Sequence, residues 1–192
     1  LLISGEKQRV AESSALAEAR LQDIRRLADI KRLNQLEAEA DALWPALPEV
    51  APRMEAWLDR TGPLLERLDS HRAYLAALRE RGKRTPSGQF KFESSAVQWE
   101  HDTLAKLVTE VEEFASKTVT AVSLRLEFAR TVVKATVEDQ RAEWDAAIRG
   151  IQSSTQYGGL VIKAQVGLLP LGPDPDSGLW EFAHLQTGTV PG

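Results

Sequence analysis

The first pattern along the chain is a long stretch of helix-forming residues with a regular apolar spacing. From Glu6 to Leu43 there is no Pro or Gly, and Ala, Leu, Glu, Arg and Gln dominate, which predicts one long helix. Its apolar residues recur every three positions, about 60° short of a full turn, so the stripe rotates around the helix. This rotation disfavours a simple dimeric coiled coil and predicts different neighbours along the helix, as in a bundle. The stripe consists of Leu21, Ile24, Leu27, Ile30, Leu33 and Leu36.

Two further helical regions follow. Pro45 and Pro48 end the first helix, and a second region is predicted from Glu49 to Arg81, with an interruption at Gly62-Pro63. After the polar loop of residues 82–88, Ser94 or Ser95 can cap a third helix that continues almost to Gly150. Its apolar residues alternate steps of three and four, which is a heptad-like seam, and Thr118-Val119-Thr120 permits a local break. The seam runs through Leu104, Val108, Val111, Ala115, Val119, Val122, Leu126, Ala129 and Val133.

The last 36 residues change to a strand pattern. Two apolar runs, Leu160 to Leu171 and Leu179 to Leu185, flank a turn of Gly, Pro, Asp and Ser at residues 172–178, which predicts a β-hairpin. We therefore predict a mainly α fold, an antiparallel bundle of three or four long helices with a short C-terminal β-hairpin. We predict two domains, a helical linker over residues 1–152 and a hairpin tail over residues 153–192.

The tail also carries a family resemblance. It is similar to the segment preceding the formylglycine-generating-enzyme-like (sulfatase-modifying-factor) domain of bacterial proteins that join a serine/threonine kinase to such a domain. Several upstream positions also resemble the helical linker of those proteins, including Trp44-Pro45, Trp57-Leu58, Trp99 and His101-Asp102. The residues that carry the likeness in the tail are Gly167-Leu168-Leu169-Pro170-Leu171-Gly172, Asp174-Pro175, Ser177-Gly178-Leu179-Trp180-Glu181-Phe182, His184-Leu185 and Thr187-Gly188.

The resemblance implies a connector whose catalytic neighbours lie outside this chain. Oxidases of that family use a cysteine pair, and this chain has no cysteine. The chain begins at Leu1 without an initiator Met and stops at Pro191-Gly192, so we expect a piece of a longer protein. The absence of cysteine fits a reducing compartment, and no apolar run approaches the roughly 18 residues that span a bilayer. We therefore expect a cytoplasmic protein.

Charge and composition indicate a soluble protein without a nucleic-acid surface. Hydrophobic residues make up 43% and charged residues 27%, with a net charge of −4. The 24 Lys and Arg residues are interspersed among 28 Asp and Glu residues rather than gathered into a block, so nucleic acid is not an expected partner. Protein partners, or other domains of the same protein, remain the expected ones.

Candidate chemistry is sparse. The histidines His71, His101 and His184 are far apart and belong to no metal-ligand pair. Asp174, Asp176 and Gly178 partly imitate a calcium loop, but position twelve would be Leu185 instead of Glu, so turn formation explains them better. We expect no catalytic residue, no metal and no cofactor in this segment.

The tryptophans are the best candidates for contacts with other domains or proteins. Tryptophan is enriched among interface hot spots, although burial in helix ends and turns is its more frequent role. Alternation along the tail places Trp180, Phe182 and His184 on one strand face, which requires an apolar cover. These three residues, with Trp44 and Trp57, are the predicted interaction or docking residues.

Three functions are compatible with these patterns. The first is a non-catalytic helical connector and interaction module of a multidomain signalling protein, which positions a formylglycine-generating-enzyme-like domain. The second is the N-terminal part of an enzyme or ligand-binding protein whose active site lies downstream. The third is a stand-alone helical adaptor that binds a partner protein, with the tail as an edge for strand addition. A hairpin packed on the chain's own helices favours the connector, whereas partner-dependent folding favours the adaptor.

Overall fold

Helices separated by short turns account for 71% of the chain. A computed structural model describes residues 2–185, except for the side chains of residues 2–8, 11, 12, 15, 16 and 19 on the first helix. The predicted fold class, mainly α with a short C-terminal hairpin, is confirmed. The helices are α1 (Leu2–Ala40), α2 (Ala51–Glu66), α3 (Leu68–Glu80), α4 (Ser95–Glu113), α5 (Thr120–Val133) and α6 (Arg141–Ser153), and the strands are β1 (Lys83–Arg84), β2 (Phe90–Lys91), β3 (Leu168–Pro173) and β4 (Trp180–His184).

Helix α1 confirms the long helix, but only part of its three-residue stripe is buried. The buried positions Arg26, Asp29, Leu33 and Leu36 alternate steps of three and four, as expected for a helix that packs with one face. Several stripe residues nearer the N-terminus lie outside that face. Leu21, Ile24 and Leu27 are exposed.

The predicted interruption at Gly62-Pro63 is wrong, because α2 continues through both residues to Glu66. A proline crowds the Cβ of the residue before it, and Gly62 has no Cβ, so this part of the clash is absent. The chain breaks instead at Arg67, the residue between α2 and α3.

The seam of the third helical region is confirmed in outline and shifted locally. Ser94 caps α4, with its side chain accepting a hydrogen bond from the Val97 amide. Two π-helical segments, Phe114–Val119 and Lys134–Glu138, flank α5. The first ends within the Thr118-Val119-Thr120 cluster, at which the sequence permits a local break. Phe114 and Val132 are buried instead of the predicted Ala115 and Val133, and each lies within two residues of the start of a π-helical segment.

The chain forms two compact units. The first consists of Leu1–Glu39 and Arg60–Val119, and the second of Ala40–Asp59 and Thr120–Gly192. Each unit therefore takes two separate stretches of chain. The second unit holds the tail together with helical residues, and the predicted domain boundary after residue 152 stays a prediction.

The first unit is a three-helix arrangement of α1, the α2 end with α3, and α4. Asp29 of α1 contacts Arg67 and His71, and Glu39 pairs with Arg60, so α1 runs antiparallel to the α2–α3 stretch. Helices α3 and α4 are also antiparallel, because Arg72 pairs with Glu112 and Arg79 contacts His101. Between α3 and α4 the predicted loop of residues 82–88 forms the β1–β2 hairpin.

The second unit packs the tail hairpin beside α6. Strands β3 and β4 are antiparallel with an irregularity between Pro170 and Gly172. The predicted first run begins too early, since the strand starts at Leu168 rather than Leu160. The turn of residues 174–178 is stabilised by Asp174, whose carboxylate accepts hydrogen bonds from the amide and hydroxyl of Ser177. This is the turn role predicted for the acidic residues.

Candidate interaction site

The apolar face of the tail hairpin is covered by α6. The indole of Trp180 lies against Gly150, where a Cβ would come within 2.5 Å of its Nε1. The ring of Phe182 packs on Trp144, with centroids 5.5 Å apart. Close packing of an indole on a helix backbone needs a residue without a side chain, which explains the glycine inside α6.

Hydrogen bonds fix the same hairpin at its two ends. The Trp180 amide donates to the Tyr157 hydroxyl at 2.6 Å. The buried Gly167 amide donates to Oγ1 of Thr136 at 3.1 Å, while that hydroxyl donates to the Val132 carbonyl at 2.6 Å. A buried amide without a partner is costly, so Thr136 meets a requirement of the turn that precedes β3.

Thr136 also anchors α6 through its backbone. It lies in the second π-helical segment, and its carbonyl accepts a hydrogen bond from Nε1 of Trp144 at 2.7 Å. Carbonyls at a helix end lack partners within the helix, and the indole of Trp144 supplies one here. One residue therefore connects α5, α6 and the hairpin within the second unit.

The predicted docking residues have different positions. Trp180 and Phe182 are half-buried against α6, and His184 is exposed. Trp57 is 1% exposed and lies in the core of the second unit, where burial by its own chain leaves little side chain for another protein to contact. Trp44 is half-buried.

Trp44 belongs to a contact that the sequence did not indicate. The guanidinium of Arg125 lies 5.9 Å from the Trp44 ring centroid and donates to the Ala40 carbonyl at 3.4 Å. Arg125 is 7% exposed, and its Nε has no hydrogen-bond partner among the described residues. A cation near the C-terminal carbonyls of a helix is stabilising, so Arg125 acts as a cap for the end of α1.

The first unit contains a buried ionic cluster around Asp29, which is 1% exposed. Its carboxylate accepts a hydrogen bond from Nε of Arg67 at 2.8 Å and contacts Nε2 of His71 at 2.9 Å. Burial alone would raise the pKa of Asp29, but the hydrogen bonds from His71 and Arg67 outweigh it and hold the pKa below its ordinary value of 3.8. Asp29 therefore joins α1 to α3 as an ionised group.

A second polar cluster joins α1, α3 and α4. Arg26 is buried, contacts Glu100 at 3.5 Å and lies 5.5 Å from the Trp99 ring centroid. The Tyr74 hydroxyl donates to Glu100 at 2.6 Å. Burial and this hydrogen bond raise the pKa of Tyr74 to about 12. Both clusters orient helices in the first unit, and neither was apparent from residue spacing.

The β1–β2 hairpin is held by two side chains of α4, Gln98 and His101. The Gln98 amide donates to the Phe90 carbonyl at 3.2 Å and accepts from the Phe92 amide at 3.1 Å. The rings of Phe90 and Phe92 pack on His101, at centroid distances of 5.6 and 5.1 Å. Gly82 allows this packing, because a Cβ there would lie 2.8 Å from the Phe92 ring.

Among the described side chains of residues 2–185, no group of three or more His, Asp or Glu is arranged to hold a metal ion. In the same part of the chain, no helix has the length and apolar character that a membrane span requires.

These observations define a mainly helical protein with a C-terminal hairpin docked on its own helices. No protein-family model matches the chain, and no curated protein and no solved structure matches it. The resemblance of the tail to the formylglycine-generating-enzyme family therefore stays a prediction. Two of the residues that carry it, Thr187 and Gly188, lie outside the described residues.

Proposed function

We propose that this chain is a non-catalytic, cytoplasmic helical connector and protein-interaction module of a larger signalling protein, in which it positions a formylglycine-generating-enzyme-like domain. The observation that carries the proposal is the docking of the tail hairpin on α6. A connector needs a defined attachment point for the segment that follows it.

Three independent contacts supply that attachment. Trp180 packs on Gly150, Phe182 packs on Trp144, and the Gly167 amide bonds to Thr136. Because these contacts lie at both ends and on one face of the hairpin, together they restrict both its position and its orientation on α6. A domain that follows the hairpin would start from a fixed place relative to α6.

The experiment measures whether the hairpin is fixed to α6 in solution. The chain has no cysteine, so Asp145→Cys on α6 and Asp176→Cys in the hairpin turn, both at exposed positions, can carry spin labels. Double electron–electron resonance should give one narrow distance distribution. In the Trp180→Ala background the distribution should broaden, while Leu171→Ala, at a position 64% exposed, should leave it narrow. A broad distribution in the unmodified background would contradict the connector proposal.

A stand-alone adaptor is the second candidate, and exposed apolar residues on α1 favour it. Val10, Leu21, Ile24 and Leu27 are 45–67% exposed, and exposed apolar clusters often mark protein interaction sites. Hydrogen exchange separates the two functions. The Gly167 and Leu185 amides, bonded to Thr136 and to the Gly167 carbonyl, should be protected in the isolated chain if it is a connector. Protection that develops only with a bound partner would favour the adaptor.

A further inference from the structure

An open pocket lies beside the β1–β2 hairpin in the first unit, with a volume of about 550 Å³. Helix α3, the hairpin and α4 each contribute to its lining, so residues distant in sequence meet there. We call it the hairpin pocket. Its charged and polar lining residues are Arg79, Arg84, Gln89, Lys91, Gln98, His101 and Asp102.

The pocket has an excess of positive charge. Arg79, Arg84 and Lys91 supply three cations, whereas Asp102 is the one carboxylate in the lining. Arg84 and Lys91 form no ion pair with any carboxylate in the described part of the chain. The carboxylate of Asp102 is already engaged, since it accepts hydrogen bonds from Gln98 at 3.1 Å and contacts Nδ1 of His101 at 2.9 Å.

Asp102 keeps its negative charge, and with it these hydrogen bonds, at neutral pH. The hydrogen bonds from His101 and Gln98 lower the pKa of Asp102 below its ordinary value of 3.8. The carboxylate is therefore ionised and satisfied by its neighbours. It compensates one of the three cations, which leaves two positive charges for a ligand.

Arg79 is oriented before any ligand arrives. Its Nε lies 3.3 Å from Nε2 of His101, and its guanidinium lies 5.3 Å from the Phe90 ring centroid. An arginine Nε can only donate, so Nε2 of His101 is the acceptor and the imidazole proton is on Nδ1, toward Asp102. The terminal nitrogens of Arg79 form no ion pair within the described residues. A guanidinium fixed through Nε can offer these nitrogens to an anion with little loss of entropy.

We propose that the hairpin pocket binds an oxyanion of the phosphate-monoester class. Two guanidinium groups and an ammonium suit a tetrahedral, doubly charged oxyanion, because Arg binds phosphate through paired hydrogen bonds and Lys binds it as a point charge. A single carboxylate would leave one cation uncompensated. The volume of the pocket leaves room for an attached organic group. This site goes beyond the connector function and does not depend on it.

The ligand has two possible sources, free phosphate or a phosphorylated side chain of a protein. Isothermal titration calorimetry on the full chain at low ionic strength should use inorganic phosphate, a phosphothreonine peptide and its unphosphorylated twin. Binding of the two peptides with equal affinity and no binding of inorganic phosphate would overturn the proposal, since the phosphate group would not be what is recognised. Binding of inorganic phosphate together with equal affinity for the two peptides assigns the free ion. Binding of inorganic phosphate without either peptide assigns the free ion. Binding of the phosphopeptide without its twin assigns a phosphorylated side chain, whether or not inorganic phosphate also binds.

Two variants and one matched control connect the binding to the pocket. Arg84→Gln and Lys91→Gln each remove an exposed cation that forms no ion pair with a described carboxylate. Each should weaken binding about tenfold, the effect of losing one charge-assisted hydrogen bond. Arg81→Gln, at the exposed residue that follows α3 and outside this pocket, should change the affinity less than twofold. Unchanged melting curves confirm that the variants fold. Absence of phosphate and phosphopeptide binding at millimolar concentration, or equal weakening by Arg81→Gln, would overturn the proposal.

Discussion

The contact between Gly150 and Trp180 gives the sharpest prediction. In Gly150→Ala the new Cβ would lie 2.5 Å from Nε1 and 3.1 Å from Cε2 of Trp180, so the indole has to withdraw by about 1 Å to reach an ordinary contact distance. Such overpacking costs about 1–3 kcal/mol. Alanine in place of glycine inside a helix contributes about 1 kcal/mol in the opposite direction. We therefore expect Gly150→Ala to lower the free energy of unfolding by about 1 kcal/mol, the midpoint of the cost less the helix gain.

A double-mutant cycle separates the two effects. In the Trp180→Ala background the clash is absent, so Gly150→Ala should raise the free energy of unfolding by about 1 kcal/mol. The coupling energy between the two sites should then be about 2 kcal/mol. Urea unfolding followed by far-ultraviolet circular dichroism measures all four proteins. If Gly150→Ala stabilises both backgrounds equally, the indole does not lie on Gly150 and the docking of the hairpin on α6 is refuted.

Three further predictions test the polar contacts. Thr136→Val should lower the free energy of unfolding by about 1–3 kcal/mol, because the buried Gly167 amide loses its acceptor. The control is Thr131→Val, at an exposed threonine whose hydroxyl also donates to the carbonyl four residues back, and it should change the free energy of unfolding by less than about 0.5 kcal/mol. Equal effects of the two variants in urea unfolding would contradict this role of Thr136. The lowered pKa of Asp29 contributes stability that is fully present above its unfolded value of 3.8 and is lost as the pH falls through the lower folded value. Asp29→Asn should cost about 3 kcal/mol at pH 7 and less in acid, and a cost that is constant between pH 7 and pH 2 would count against the ionised cluster. Arg125→Met should lower the melting temperature by removing the cap of α1, and an unchanged melting curve would show that the cap contributes nothing.

The helices were largely predictable because their signals are local. Ser94 as a cap and the end of α1 before Pro45 depend on residues adjacent in sequence. The error at Gly62-Pro63 came from weighing both residues as helix breakers, although the absence of a Cβ on Gly62 lessens the crowding that Pro63 imposes. The seam moves to Phe114, the first residue of a π-helical segment, and apolar spacing does not show such a segment in advance.

The contacts between elements were much less predictable. Alternation along the tail indicated that Trp180 and Phe182 need a cover, but not that Gly150 provides the surface for it. Arg79 and Arg84 lie on either side of a turn, and both line the hairpin pocket. In the sequence these residues belong to an even mixture of charges, which is why the pattern did not indicate an anion site. Which side chains line a common pocket follows from tertiary packing, and it cannot be predicted from residue spacing alone.

The division of each unit between two stretches of chain affects how the protein can be made. Residues 40–59 belong to the same unit as residues 120–192. A fragment that ends at residue 119 would therefore contain residues 40–59 without the rest of their unit. Synthesis adds about 5–20 residues per second, so residues 40–59 are already in the chain roughly 3–12 s before Thr120 is added. During that interval Met54 and Trp57, both buried in the finished fold, have no core to enter. The nascent chain therefore has a period in which it needs protection from aggregation, and slow translation between residues 60 and 119 would lengthen it.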